Sequence, residues 1–182
     1  MWTLFPILDT ASILYLEEGI LMRDLSVKKL TMSGLMAALI CVLTMFPQIP
    51  IPAGAGYIHL GDGMILLAVM LLGPLAIPAA AVGSMLADLF VFPAYAPATF
   101  VIKALVATAA WLIYRKGHIV RTILAFAEAE AVMVAGYFAY EWFAAREYAV
   151  VDLLGNTIQG ISGAALGVAF TYAVPQLERA LK

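Results

Sequence analysis

The fold is decided by residues 58–92, which have the sequence IHLGDGMILLAVMLLGPLAIPAAAVGSMLADLFVF. This stretch contains two apolar runs, Ile58–Leu72 and Leu75–Phe92, separated by Gly73-Pro74. Because proline lacks an amide donor and clashes with the preceding turn, we expect one helix to end and another to begin there. Both runs are shorter than the ~20 residues of a perpendicular membrane crossing. We therefore predict two consecutive membrane helices, and we expect that they are tilted, that they are broken, or that the bilayer is locally thinner around them.

Four further apolar runs are ended by proline or by charged residues. They are Leu30–Phe46, Ala98–Tyr114, Ile119–Phe143 and Val150–Val174. The whole chain of 182 residues is 64% hydrophobic and 12% charged, whereas soluble domains are about 45–50% apolar and about 25% charged. A soluble chain of this length could not bury so much apolar surface. The sequence thus predicts an all-α membrane protein with six transmembrane helices.

Lysine and arginine are distributed unevenly between the predicted helices. Those on one side of the membrane are Arg23, Lys28, Lys29, Arg115, Lys116, Arg121, Arg179 and Lys182. The opposite loops, Pro47–Tyr57, Pro93–Pro97 and Ala144–Ala149, carry only Arg146. The positive-inside rule therefore predicts that both termini are cytoplasmic and that these three loops face outward. We expect the protein in the cytoplasmic membrane of a bacterium or an archaeon.

Residues 1–21 differ from the rest of the chain because they carry three acidic residues and no basic residue. Glu17–Gly19 back-translates to a purine-rich run just before Met22, where a bacterial ribosome-binding site would lie. We interpret residues 1–21 as a misassigned leader or a disordered N-terminus, and an amphipathic helix is the alternative. Residues 22–182 are then a single six-helix membrane domain.

Under this topology, polar side chains from different helices lie at one depth, near the outer face. The residues that we assign to a substrate-binding pocket are Tyr57, His59, Asp62, Asp88, Tyr95, Thr99, Lys103, Glu141, Trp142, Asn156 and Gln159. Asp152 shares this depth, whereas the inner halves of the helices are mostly apolar. An ionisable side chain in a bilayer costs about 2.5–3.5 kcal/mol, so it persists where it pairs, contacts water or binds a ligand. We predict one pocket that opens to the outside.

Several of these residues also have a purely structural interpretation. Asp62 could cap its helix, and Lys103 could pair with Asp62 or Asp88. Asn156 and Gln159 could form hydrogen bonds between helices alone. The aromatic residues could belong to the interfacial belt.

The chain lacks the motifs of common catalytic and nucleotide-binding sites. It contains no G-x-x-x-x-G-K-[ST], no H-E-x-x-H and no G-x-S-x-G, so we expect no P-loop, no catalytic residue, no metal and no cofactor. Cys41 is the single cysteine, and the net charge of −2 offers no basic surface for nucleic acid. We expect a binding protein that is not an enzyme and takes its energy from a partner.

Four short segments carry a family resemblance: Tyr57–Asp62 (YIHLGD), Leu72–Pro74 (LGP), Gly83–Leu89 (GSMLADL) and Ala96–Lys103 (APATFVIK). Over about Val27–Tyr172 the chain resembles the membrane S component of energy-coupling factor (ECF) transporters. The similarity is greatest to the branch of riboflavin, hydroxymethylpyrimidine and pyridoxine carriers. The resemblance implies six helices with both termini inside and capture of a vitamin from outside. It also implies docking on a T component that works with two ABC ATPases.

In that family an Ala-x-x-x-Ala row on the first helix contacts the T component. The corresponding row here is Gly34-x-x-x-Ala38 or Ser33-x-x-x-Ala37, so the register stays open. Rows of small residues let helix backbones approach closely.

We therefore predict a substrate-specific S component whose ligand is a pyridoxine- or hydroxymethylpyrimidine-like precursor, or riboflavin. Lys103, Asp62, Asn156 and Gln159 are expected to orient it by hydrogen bonds. Two alternatives stay open at this point. One is a small membrane enzyme that acts on lipid headgroups through its carboxylates, and the other is a structural or assembly membrane protein.

Overall fold

A computed structural model describes residues 27–51, 57–144 and 146–180. The helices of this part are α1 (Val27–Met45), α2 (Gly61–Leu72), α3 (Ala76–Val91), α4 (Ala96–Ile113), α5 (Ile119–Ala144), α6 (Arg146–Phe170) and the short α7 (Val174–Ala180). The predicted leader, residues 1–21, lies outside the described residues, as do residues 52–56 of the first predicted loop. The all-helical fold is confirmed.

Between α1 and α2 the chain forms a two-stranded antiparallel hairpin. Strand β1 (Ile49–Pro50) pairs with β2 (Tyr57–Ile58), with Ile49 opposite Ile58. Because Ile58 is held in this ladder, α2 begins at Gly61 rather than at the predicted Ile58. Strand β2 of the hairpin contacts α6.

The predicted break at Gly73-Pro74 is a single 3-10 turn, Gly73–Leu75, between α2 and α3. Gly73 has φ +59°, a left-handed conformation that favours glycine. Four helical segments of the described chain are long and apolar enough to cross a membrane: Val27–Met45, Gly61–Val91, Ala96–Ile113 and Arg146–Phe170. The second of these joins α2 and α3, and α5, although 26 residues long, is not among the four. The count of six membrane crossings therefore stays a prediction.

Helix α2 lies at the centre of the bundle and packs on α1, α3, α4 and α6. All ten residues from Gly61 to Met70 are buried. Its contact with α6 depends on glycine, since a Cβ on Gly167 would lie 2.6 Å from Cδ1 of Leu66. Close backbone approach of this kind is the usual way in which helices associate in lipid.

The outer surface of the bundle is apolar. Exposed residues on it include Leu35, Val42, Phe90, Leu105, Leu112, Leu124 and Ile161. Several charged side chains are instead buried, among them Asp62, Lys103, Glu130 and Glu141. In soluble proteins the charged side chains are mostly exposed and the large apolar side chains are mostly buried. The opposite arrangement here suits a protein that is surrounded by lipid.

Candidate functional site

A cavity of about 410 Å³ lies among α1–α6 beside the hairpin. This volume is within the range of small-molecule sites, roughly 300–1,000 Å³. The predicted pocket residues that line the cavity are Tyr57, His59, Asp62, Asp88, Tyr95, Thr99, Lys103, Glu141, Asn156 and Gln159. The tertiary fold therefore brings together residues from widely separated parts of the sequence.

Trp142 is the predicted pocket residue that does not line the cavity. Its ring lies 5.7 Å from that of Phe138 and 4.2 Å from the Arg146 guanidinium, and it is 39% exposed. Successive helical residues differ in direction by about 100°, so Trp142 points away from the cavity that its neighbour Glu141 faces.

Lys103 and Asp62 form a buried ion pair at the base of the cavity. Lys103 is 3% exposed and Asp62 is 1% exposed. The Gln159 Nε2 atom donates to the second carboxylate oxygen of Asp62 at 2.8 Å. Three helices, α2, α4 and α6, are thereby tied together. Asp62 does not cap α2, because Leu60 occupies the cap position and no side chain caps that end.

Gln159 also holds the segment between β2 and α2. Its Oε1 accepts from the His59 amide at 2.9 Å, and its Nε2 donates to the His59 carbonyl at 3.2 Å. His59 Nδ1 accepts from the Gly61 amide at 3.1 Å. Burial lowers the pKa of His59 to about 4, so the ring is neutral near pH 7 and its Nδ1 can accept this bond.

A second polar cluster joins α3, α4 and α5. The Thr99 hydroxyl donates to Asp88 and lies 2.9 Å from the Tyr137 hydroxyl. The Lys103 ammonium lies 5.5 Å from the centre of the Tyr137 ring. In both clusters, most of the polar atoms are already hydrogen-bonded within the chain.

Aromatic rings form a wall of the cavity. Tyr57 stacks on Phe92 at 6.1 Å, Phe92 lies edge-on to Tyr95 at 6.5 Å, and Tyr95 lies 6.4 Å from Tyr137. Burial raises the pKa of Tyr57 and of Tyr95 to about 12, so both hydroxyls stay protonated and can donate. Such a wall can stack on a planar ring, while the hydroxyls bind its polar edge.

Several residues that line the cavity were not predicted from the sequence. They are Thr44, Ser84, Phe92, Met133, Tyr137, Tyr148 and Gly155; Asp152, which was placed at the same depth without being assigned to the pocket, also lines the cavity. Helical spacing could have found some of them, since Ser84, Tyr137 and Asp152 each lie four residues before a predicted pocket residue. Thr44 and Phe92 lie at helix ends, and no local signal marks them.

The described chain does not group metal-ligand side chains. Within residues 27–51, 57–144 and 146–180, no three His, Cys, Asp or Glu residues lie together in a way that could hold a metal ion.

The apolar exterior and the partly polar cavity define a multi-pass membrane protein that binds a small molecule. A family model described as the S component of ECF-type riboflavin transporters matches residues 24–176. The chain belongs to this family. The family and the fold are those of a substrate-binding transporter subunit rather than of an enzyme, so the alternative of a lipid-headgroup enzyme is wrong.

The chain is also similar to a solved structure and to a protein of uncharacterized function. The solved structure of the S component of a bacterial ECF transporter matches with a TM-score of 0.65 and 27% identity, over 85% of this chain and 98% of the matched chain. A protein of Pyrococcus woesei, described as an uncharacterized protein in gap 3'region, is 36% identical over 137 residues. That match covers 73% of this chain and 92% of the relative.

Proposed function

We propose that this chain is the substrate-specific S component of an ECF-type ABC importer, and that it binds an aromatic vitamin or vitamin precursor from outside the cell. The observation that carries the proposal is that the polar residues of one predicted depth meet an aromatic wall in one cavity. Riboflavin is the first candidate ligand because of the family match. Pyridoxine- and hydroxymethylpyrimidine-like compounds are the alternatives that the sequence suggests.

Equilibrium binding to the purified chain tests this proposal. We expect riboflavin, pyridoxine or hydroxymethylpyrimidine to bind and to be recovered chemically unchanged. Binding would separate the proposal from a purely structural or assembly protein, which has no small-molecule ligand. If none of the three compounds binds and no small molecule co-purifies with the native protein, the proposal is wrong.

We further propose six membrane crossings, with both termini on the cytoplasmic side of the cell membrane. Six helices of 12 to 26 residues and the clustering of basic residues on one side support this topology. Single cysteines at Lys116 and at Ala94, each in a Cys41→Ala background, provide the test. A membrane-impermeant maleimide should label the position 94 variant in intact cells and leave the position 116 variant unlabelled until the cells are lysed. The reverse pattern would refute the proposed orientation.

We propose that α1 docks on a T component, which works with two ABC ATPases, through the face that points away from the rest of the bundle. Ser33 and Ala37 are directed toward α3, since the Ser33 hydroxyl donates to the Leu75 carbonyl at 2.9 Å and the Ala37 carbonyl lies against Gly83. Gly34 and Ala38 are exposed, and a Cβ on Gly34 would meet nothing within 4 Å. Of the two registers, this geometry favours the Gly34–Ala38 row.

Bulky substitution tests the docking surface. Ala38→Trp should abolish co-purification with the T component and leave ligand binding intact. Ala139→Trp, at an exposed alanine of α5, is the matched control. Equal retention of the T component by both variants would contradict the proposed surface.

A further inference from the structure

The cavity is lined by two kinds of polar group. Some are bonded to each other, such as Lys103, Asp62 and Gln159. Two buried atoms of the lining are not: the Ser84 hydroxyl oxygen and the Glu141 Oε2 atom have no hydrogen-bond partner among the described residues, although the Glu141 carboxyl also interacts with Asn156. Ser84 is 1% exposed and Glu141 is 2% exposed. Both side chains face the same cavity, from α3 and from α5 respectively.

A buried polar atom without a partner is unfavourable, and native proteins rarely keep one without a functional reason. The bonded groups need no ligand to complete their hydrogen bonding, because they already bond one another between α2, α4 and α6. The two unpartnered atoms therefore mark where a bound molecule would complete the hydrogen bonding.

The charges that line the cavity limit what that molecule can be. Four carboxyl side chains, Asp62, Asp88, Glu141 and Asp152, face a single lysine. Lys103 is paired with Asp62, and among the described residues none of the other three carboxyl groups forms a salt bridge. Asp152 also lies close enough to Glu141 to act on it electrostatically. Such a lining favours hydrogen-bond donors and disfavours a further anion.

We propose that the ligand presents a hydrogen-bond donor, a hydroxyl or a protonated amine, to Glu141 and Ser84, and that it carries no phosphate. The buried ion pair then holds the helices and does not bind the ligand directly, in contrast to the expectation from sequence. The inference rests on the proposed function, since it assigns contacts within the proposed vitamin site.

Binding of matched pairs to the purified full-length chain tests the inference. The pairs are riboflavin with flavin mononucleotide, and pyridoxine with pyridoxine 5′-phosphate. For the pair whose parent compound binds, the unphosphorylated member should bind about ten-fold more tightly or better. Equal or tighter binding of the phosphate ester would overturn the inference while leaving the proposed function standing. If none of the four compounds binds, the proposed function fails, and the inference fails with it.

Substitutions locate the contact. Glu141→Gln should weaken binding of the preferred compound about ten-fold or more, and Ser84→Ala about three-fold or more. The matched controls are Glu128→Gln, an exposed glutamate of α5, and Ser162→Ala, whose hydroxyl bonds the Ile158 carbonyl of its own helix. Both controls should bind as the wild type does. If Glu141→Gln and Ser84→Ala are folded and bind within two-fold of the wild type, the assigned contacts are wrong.

Discussion

The Lys103–Asp62 pair provides a test of what holds the bundle together. The pair lies between α4 and α2 with both side chains almost fully buried, and Gln159 of α6 completes the hydrogen bonding of the aspartate. Lys103→Met would leave the Asp62 carboxylate in a low-dielectric interior without its cation. Breaking one partner of a buried pair costs about 3–5 kcal/mol, because the remaining charge is uncompensated.

The double variant Asp62→Asn with Lys103→Met has a different expectation. The asparagine oxygen can still accept from Gln159, and no net charge remains at the two positions. Replacing both members of a buried pair is often close to neutral. We therefore expect the double variant to lose less than about 2 kcal/mol, so that the second substitution restores part of what the first removed.

Thermal unfolding of the purified chain in detergent, followed by circular dichroism, measures this difference. At about 2–4 °C per kcal/mol for a chain of this size, the single variant should lose roughly 6–20 °C in Tm. The double variant should recover at least half of that loss. If the double variant is as unstable as the single one, or if Lys103→Met unfolds within about 2 °C of the wild type, the pair is not the connection that we describe.

Three more changes test the surroundings of this pair. Gly163→Ala should lower stability by about 1–3 kcal/mol in the same assay. The added Cβ would lie 2.7 Å from Oε1 of Glu130 and 2.9 Å from Cβ of Asp62. An unchanged Tm would show that α6 is not packed against these residues as closely as we describe. Glu130→Gln should leave Tm unchanged or raise it. Both carboxyl oxygens of Glu130 are buried without a partner among the described residues, and a neutral amide is less costly to bury than a charge. A loss of stability above about 1 kcal/mol would contradict this description of Glu130 and indicate a hydrogen bond to its carboxyl group. The pKa of His59 is lowered to about 4 from an ordinary 6.5, so the unfolded chain binds more protons than the folded chain between these values. The free energy of unfolding should therefore fall by up to roughly 3 kcal/mol as the pH drops through this window. The fall should be smaller in His59→Gln, and an equal fall in both proteins would contradict the lowered pKa of His59.

The helices could be predicted from the sequence because lipid imposes a simple rule. Apolar runs and the residues that end them determine where helices form, so all six long helices were predicted. The errors lie where the rule does not apply. Ile58 belongs to a strand because it pairs with Ile49, a contact across a turn that hydropathy does not report. Helix α6 begins at Arg146, not at Val150, because a helix can continue past the apolar region.

Ten of the eleven polar and aromatic residues that were grouped by their depth line one cavity. Depth follows from position along a membrane helix, so residues of one depth are candidates for one site. Depth does not report the direction of a side chain, and this is why Trp142 was included and Tyr137 was missed. Tyr137 lies one helical turn before Glu141, so adding the helical phase to the depth would have exchanged the two.

The polar cavity and the close helix packing are connected by the nature of the solvent. In lipid, apolar surfaces gain little by leaving their surroundings, so packing and interhelical hydrogen bonds must hold the helices together. Contacts at Gly163 and Gly167 bring α6 against α2 along one part of their interface. Asp62, which lies against Gly163, also lines the cavity, and its bonds to Lys103 and Gln159 connect α2 to α4 and α6 there. The polar groups of the cavity lining thus have a structural role, because their hydrogen bonds hold together helices that the hydrophobic effect does not drive together in lipid.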